Sequence, residues 1–130
     1  MAVTSTSPSG VTPSSSTTAA GSCLQQASLS GRVSDHGSVA VSGSAVALTA
    51  GDFYFQATCL TDASGGSVAV RVTNNGTALH NFSITNLGID KDVPPGQTIT
   101  LNVKLPASGT VPFFCKYHVA SGMQGAFVVG

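Results

Sequence analysis

The chain has 130 residues, with five Lys and Arg against five Asp and Glu, so its formal net charge is zero. Only 8% of its residues are charged, against roughly 25% in an ordinary domain. This balance excludes a nucleic-acid surface, which needs a basic stripe, and no apolar run approaches the about 18 residues that a transmembrane helix requires.

No basic stretch followed by an apolar run marks a signal peptide. Fifteen Gly, many Ser, Thr and Val, and no Trp point to one domain of short strands and turns.

Residues Met1 to Gly21 are nearly all Ser, Thr, Ala, Val, Pro and Gly, without a hydrophobic period. Such a composition buries too little to order itself. Residues 1–22 are therefore expected to be a flexible tail or linker, or a processing remnant, and 23–130 the folded domain. From Cys23 to Ala45 the pattern is weak. Leu24 to Leu29 suits one helical turn or a short strand, and Arg32, Asp35 and His36 sit among Ser and Gly as loop residues do. His36 reads as a surface histidine.

Strands begin at Val46. Gly51-Asp52 marks a turn, and Phe53-Tyr54-Phe55 places Phe53 and Phe55 on one face. From Ser67 to Thr73 strict alternation puts Val68, Val70 and Val72 inward. Asn74-Asn75-Gly76 ends that strand with residues that tolerate positive φ. Phe82 and Ile84 face inward again. After the turn Pro94-Pro95-Gly96, Ile99, Leu101, Val103 and Leu105 alternate with polar residues. Thr110 to Phe114 follows, with Pro112 expected at a sheet edge or bulge, and Gln124 to Val129 is the last strand. About seven short strands separated by turns imply an all-β sandwich.

The chemistry is concentrated after Phe114. Cys115, His118 and Met123 stand in C-x2-H-x4-M spacing and offer a thiolate, an imidazole and a thioether within one short loop. His80, in L-H-N-F-S-I, offers a second imidazole. A trigonal His2Cys plane with a weak axial Met suits copper, because it compromises between the few soft ligands of Cu(I) and the nitrogen preference of Cu(II). Four protein ligands leave no position for a substrate, so an enzyme is not expected. His80 belongs to a different strand pair from the Cys115 loop, so a metal here is expected to staple the two sheets together. Zinc would also accept His2Cys, but the affinity order favours copper. A Cys115–His118 nucleophile pair is the other reading, without a recognisable substrate loop to support it.

From about Ala45 onward the chain resembles the cupredoxins, the small blue copper proteins of plastocyanin type. The matching pieces are Asn74-Asn75-Gly76 followed by His80-Asn81-Phe82, Pro95-Gly96-Gln97-Thr98, and G-T-V-P-F-F-C-K-Y-H-V-A-S-G-M-Q-G over Gly109 to Gly125. The resemblance implies a Greek-key β-sandwich with one copper ion held by His80, Cys115 and His118, and axially by Met123. It implies that Asn81 hydrogen-bonds across to the cysteine loop, and that the exposed edge of His118 is the electron exit. Leu79, Val93, Pro94, Pro95, Val119 and Ala120 would dock redox partner proteins around it. The expected role is one-electron transfer by a monomer outside the cytoplasm, with copper storage or delivery as the alternative.

Three features depart from plastocyanin. No acidic patch is apparent beyond Asp90 and Asp92, split by Lys91. Lys116-Tyr117 replaces a proline-containing pair, leaving a Tyr117 N–H able to reach the sulfur. The segment before Ala45 matches nothing in the family. If Cys115 binds metal, Cys23 and Cys59 remain either as a disulfide, which would stabilise by roughly 3–4 kcal/mol and imply an oxidising compartment, or as two separate buried thiols.

Overall fold

The computed structural model describes residues 29, 31–41 and 43–130. The expected tail and Cys23 lie outside the described residues.

Among the described residues ten strands form two sheets. In chain order they are β1 (Ser38–Ala40), β2 (Ala45–Gly51), β3 (Tyr54–Gln56), β4 (Cys59–Ala63), β5 (Gly66–Asn74), β6 (His80–Ile84), β7 (Ile89–Val93), β8 (Thr98–Leu105), β9 (Gly109–Phe114) and β10 (Gln124–Val129). The larger sheet runs β1-β4-β10-β9-β6-β7 and the smaller β3-β2-β5-β8. The chain passes back and forth between them, as a Greek-key sandwich requires. β1 lies within the stretch whose pattern was too weak to assign. It is three residues long, and parallel pairing to β4 holds it in place.

Alternation decides which face of each strand is buried. In β5, Val68, Val70 and Val72 are buried while Ser67 and Arg71 are exposed, and β8 pairs antiparallel along its edge from Leu105 to Thr98. β6 is buried at every position, with β7 paired along one edge and β9 beside it at Phe114 and Ser83. Pro112 sits within β9, a central strand of the larger sheet. It is tolerated because β9 meets β6 only at Phe114 opposite Ser83, so the ladder is open where Pro112 lacks an N–H.

Between the sheets lie Phe55, Phe82, Phe113 and Phe127, all fully buried. Phe113 is the hub, with ring centroids 5.1 Å from Phe55, 5.2 Å from Phe82 and 5.6 Å from Phe127. Tilted and edge-on rings of this kind add about 0.5–1.5 kcal/mol per pair beyond their buried area. Phe113 is also two residues before Cys115, so the aromatic core is the floor on which the ligand loop rests. Phe53 departs from expectation. It belongs to the turn before β3, is 40% exposed, and lies over the site instead of in the core.

Candidate metal centre

Three neighbouring strands bring the candidate ligands to one end of the larger sheet. His80 opens β6, Cys115 directly follows β9, and Met123 directly precedes β10. β9 is antiparallel to both neighbours, with Phe114 opposite Gln124 on one side and Ser83 on the other. The start of β6, the end of β9 and the start of β10 therefore coincide. This corrects the expectation of a metal stapling two sheets: His80 and the loop that carries Cys115, His118 and Met123 lie at one end of the same sheet.

The loop between β9 and β10 is tied internally. Cys115 N–H donates to Met123 O (3.0 Å), His118 N–H to Cys115 O (3.1 Å), and Met123 N–H to His118 O (3.3 Å). A short 3-10 turn, Val119–Ser121, ends at Gly122 with φ 95°. Only glycine serves there, since a side chain would be strained and its Cβ would lie 2.8 Å from Ser34 N. The segment before β1 closes over this point. Ser34 N–H donates to Gly122 O (2.8 Å), and Gln124 Nε2 donates to Arg32 O (2.7 Å).

Within this frame His80, Cys115 and His118 each place a ligand atom within 4.8 Å of the others. Cys115 Sγ and His118 Nδ1 are 3.4 Å apart, and the two imidazoles meet edge-on at 5.1 Å. Cys115, His80 and Met123 are fully buried, and His118 is half-buried. His80 Nδ1 is buried without a hydrogen-bond partner among the described residues. A bare buried nitrogen costs about 1–3 kcal/mol unless something coordinates it. One soft sulfur, two imidazole nitrogens and an adjacent buried thioether form a donor set that fits copper.

Burial pushes the Cys115 thiol above its usual range, while backbone N–H groups of Tyr117, Asn81 and His118 reach the sulfur and oppose that rise. His118 is held below the usual imidazole value, chiefly by burial. Its ring therefore favours the neutral form that binds metal.

Asn81 is fully buried and joins the strands as expected. Its Oδ1 accepts from Lys116 N–H (3.2 Å) and from the Ser83 hydroxyl, and its Nδ2 donates to Asp90 (2.8 Å) and Asp92 (3.1 Å). The two carboxylates in turn hold the cysteine loop from outside. Asp90 pairs with Lys116 Nζ at 3.0 Å, and Asp92 accepts from the Tyr117 hydroxyl at 2.9 Å. Sequence reading took these acids only as a sparse charge pair, since their contact with residues 116 and 117 arises from β7 lying beside β6.

Two site residues were missed entirely. Asp52 reaches His80 Nε2 at 2.7 Å, and the Phe53 ring lies 4.5 Å from His118. Neither has a local signal: they are 28 and 65 positions from their partners. Of the expected docking residues, Leu79, Pro94, Pro95, Val119 and Ala120 are exposed. Val93 is not: it is fully buried opposite His80 and cannot touch a partner. Cys59 is fully buried at the start of β4; its expected pairing with Cys23 involves a residue outside those described. His36 is exposed and stacks on Tyr54 at 3.7 Å.

A family model described as a cupredoxin-like domain matches residues 26–129. Three solved structures show the same fold at low identity. Reduced auracyanin from the photosynthetic bacterium Roseiflexus castenholzii is 19% identical, with 69% of this chain and 99% of that one covered at a TM-score of 0.59. Oxidised plastocyanin from Dryopteris crassirhizoma is 21% identical, covering 65% and 100% at 0.53. The metal-binding domain of a Cu(I)-exporting P-type ATPase from Streptococcus pneumoniae, solved with Cu(I), is 11% identical, covering 73% and 97% at 0.63. No curated protein matches the chain at the sequence level.

Proposed function

Because the chain belongs to the cupredoxin-like family, we propose that it is a mononuclear copper protein that carries one electron at a time between redox partners. His80, Cys115 and His118 would hold the copper as strong ligands, and Met123 would offer a weaker thioether. The observation that carries this reading is the convergence of ligand atoms of His80, Cys115 and His118, with His80 Nδ1 buried and partnerless. Copper, when bound, would supply the Cu(I)/Cu(II) couple.

The chain's own part is to hold the donors still. Strand ends, the aromatic floor and the Asn81 bonds fix their positions, so little has to move when charge changes. Met123 and the segment at Ser34 keep water from the inner side. The N–H groups at the Cys115 sulfur spread its negative charge, which favours the reduced state. His118 is the half-buried ligand and so the route for the electron. Leu79, Pro94, Pro95, Val119 and Ala120, joined by Phe53, would form the docking rim for a transient partner. The auracyanin and plastocyanin neighbours, solved as reduced and oxidised forms, support a redox role. A monomer working outside the cytoplasm fits this reading.

A second reading is copper storage or delivery, favoured by the likeness to the Cu(I)-bound ATPase domain. Visible absorption during Cu(II) titration separates the two. An electron carrier gives an intense thiolate-to-copper band saturating at one equivalent, absent in Cys115→Ala. Binding without that band favours delivery, and no binding refutes both. Met123→Leu should keep copper and raise the potential; loss of all binding there would refute an axial role.

A further inference from the structure

His80 stands at the first position of β6, yet a residue of the other sheet determines how its ring is held. Asp52, on the turn between β2 and β3, places Oδ1 2.7 Å from His80 Nε2. An ionised carboxylate only accepts hydrogen bonds, so Nε2 carries the proton. In the neutral ring Nδ1 then keeps its lone pair, and it is this atom that is buried and partnerless.

The carboxylate is itself seated in a cradle. Oδ2 accepts from the Thr77 N–H and the Thr77 hydroxyl, each at 2.9 Å, and Oδ1 accepts from the Ala78 N–H at 3.3 Å. Gly76 leaves the room, for a Cβ there would overlap the Asp52 carboxylate. Asn74 holds the cradle in shape: it accepts from Gly76 N–H at 2.8 Å and donates to Ala78 O and Val93 O, each at 2.8 Å. Three donor contacts besides His80 converge on this one carboxylate, which as an ion only accepts. A neutral acceptor would be enough to orient an imidazole. The cradle instead maintains a full negative charge one ring away from the candidate metal position.

We infer that Asp52 is a positioning residue of the metal centre: it locks His80 in the Nε2–H tautomer with Nδ1 free to ligate, and its charge biases the site toward Cu(II). The inference rests on the copper reading above. A carboxylate behind a ligating histidine fixes the ring and raises its basicity. A nearby negative charge also stabilises the more highly charged oxidation state more, so the potential falls.

Two substitutions separate orientation from charge. Asp52→Asn keeps an oxygen to accept from Nε2 but removes the charge. Its ratio of Cu(II) to Cu(I) affinity should fall about tenfold, which is a rise of about 59 mV for a one-electron couple. Asp52→Ala removes both functions and should lower copper affinity about 10–100-fold. Asp62→Asn makes the same charge change near the end of β4 remote from the ligands and should leave the potential where it was.

A third measurement uses the wild-type protein without metal. Nitrogen-15 NMR of the imidazoles should show His80 as a single tautomer, protonated at Nε2 and slow to exchange. A His80 protonated at Nδ1, or a mixture, would overturn the lock. A potential unchanged in Asp52→Asn, or shifted equally in Asp62→Asn, would overturn the charge bias. If wild-type protein bound no copper, the proposed function would fall, and the metal-free spectrum would still decide the lock. If Asp52→Ala did not fold, Asp52→Asn and that spectrum would decide the matter.

Discussion

Asn81→Ala tests the idea that the ligand loop is pinned from β6. Asn81 is fully buried and makes four bonds, two as acceptor and two as donor. Truncation has different consequences on the two sides. Asp90 and Asp92 are exposed and would turn to water at little cost. Lys116 N–H and the Ser83 hydroxyl lie inward, and each would lose its acceptor. An unsatisfied buried group costs about 1–3 kcal/mol, and the serine can rotate to find partial compensation, so the total should be about 2–4 kcal/mol. With a urea m-value of about 2 kcal/mol/M for a domain of this size, the midpoint of unfolding of the metal-free protein should fall by about 1–2 M. Copper affinity should fall about 10–100-fold as well, since Lys116 follows Cys115 and its loosening frees the sulfur. A midpoint within about 0.25 M of wild type, equivalent to about 0.5 kcal/mol at that slope, would refute the pin. A large loss of stability with unchanged copper affinity would show that Asn81 serves the sheet and not the ligand loop.

Gly125→Ala should abolish folding or cost several kcal/mol, because its Cβ would strike Thr58 O and lie 2.7 Å from the Phe113 ring; soluble expression and thermal melting read this out, and a near-wild-type melt would refute the contact. His118 carries a depressed folded-state pKa, so between that value and the unfolded value near 6.5 the unfolded chain binds more protons. The stability of the metal-free protein should therefore be full well above about pH 6.5 and fall as pH drops below it toward the depressed folded-state value, a slope that His118→Gln should reduce. Thiol counting in denaturant without reductant should give one reactive cysteine, Cys115, if Cys23 and Cys59 are joined; three would refute the disulfide.

Much of the fold was legible because β-strands write burial at period two. Val68, Val70 and Val72, and the series ending at Val103 and Leu105, are inward in the structure as their spacing requires. β1 was not legible, because three residues carry no measurable period and their parallel partner β4 lies about twenty positions away. Phe53 misled for a related reason. Strand alternation assigns it the face of Phe55 only if the strand already includes it, and the turn ends one residue later.

The candidate ligands were readable from sequence because three of them share one loop, where Cys115, His118 and Met123 are separated by fixed local spacings. Local backbone geometry then brings them together whatever the rest of the chain does. Asn81 was readable because it adjoins His80 in a family-like motif. Asp52 was not. Its turn meets His80 and the Asn74–Ala78 cradle just before it only because the two sheets stack face to face, and stacking is a property of side-chain packing across the core, with no period along the chain. Sequence alone therefore determined which atoms the site offers. Tertiary structure alone decided which of them is held, by what charge, and that Val93, one of the residues expected at the rim, lies beneath it.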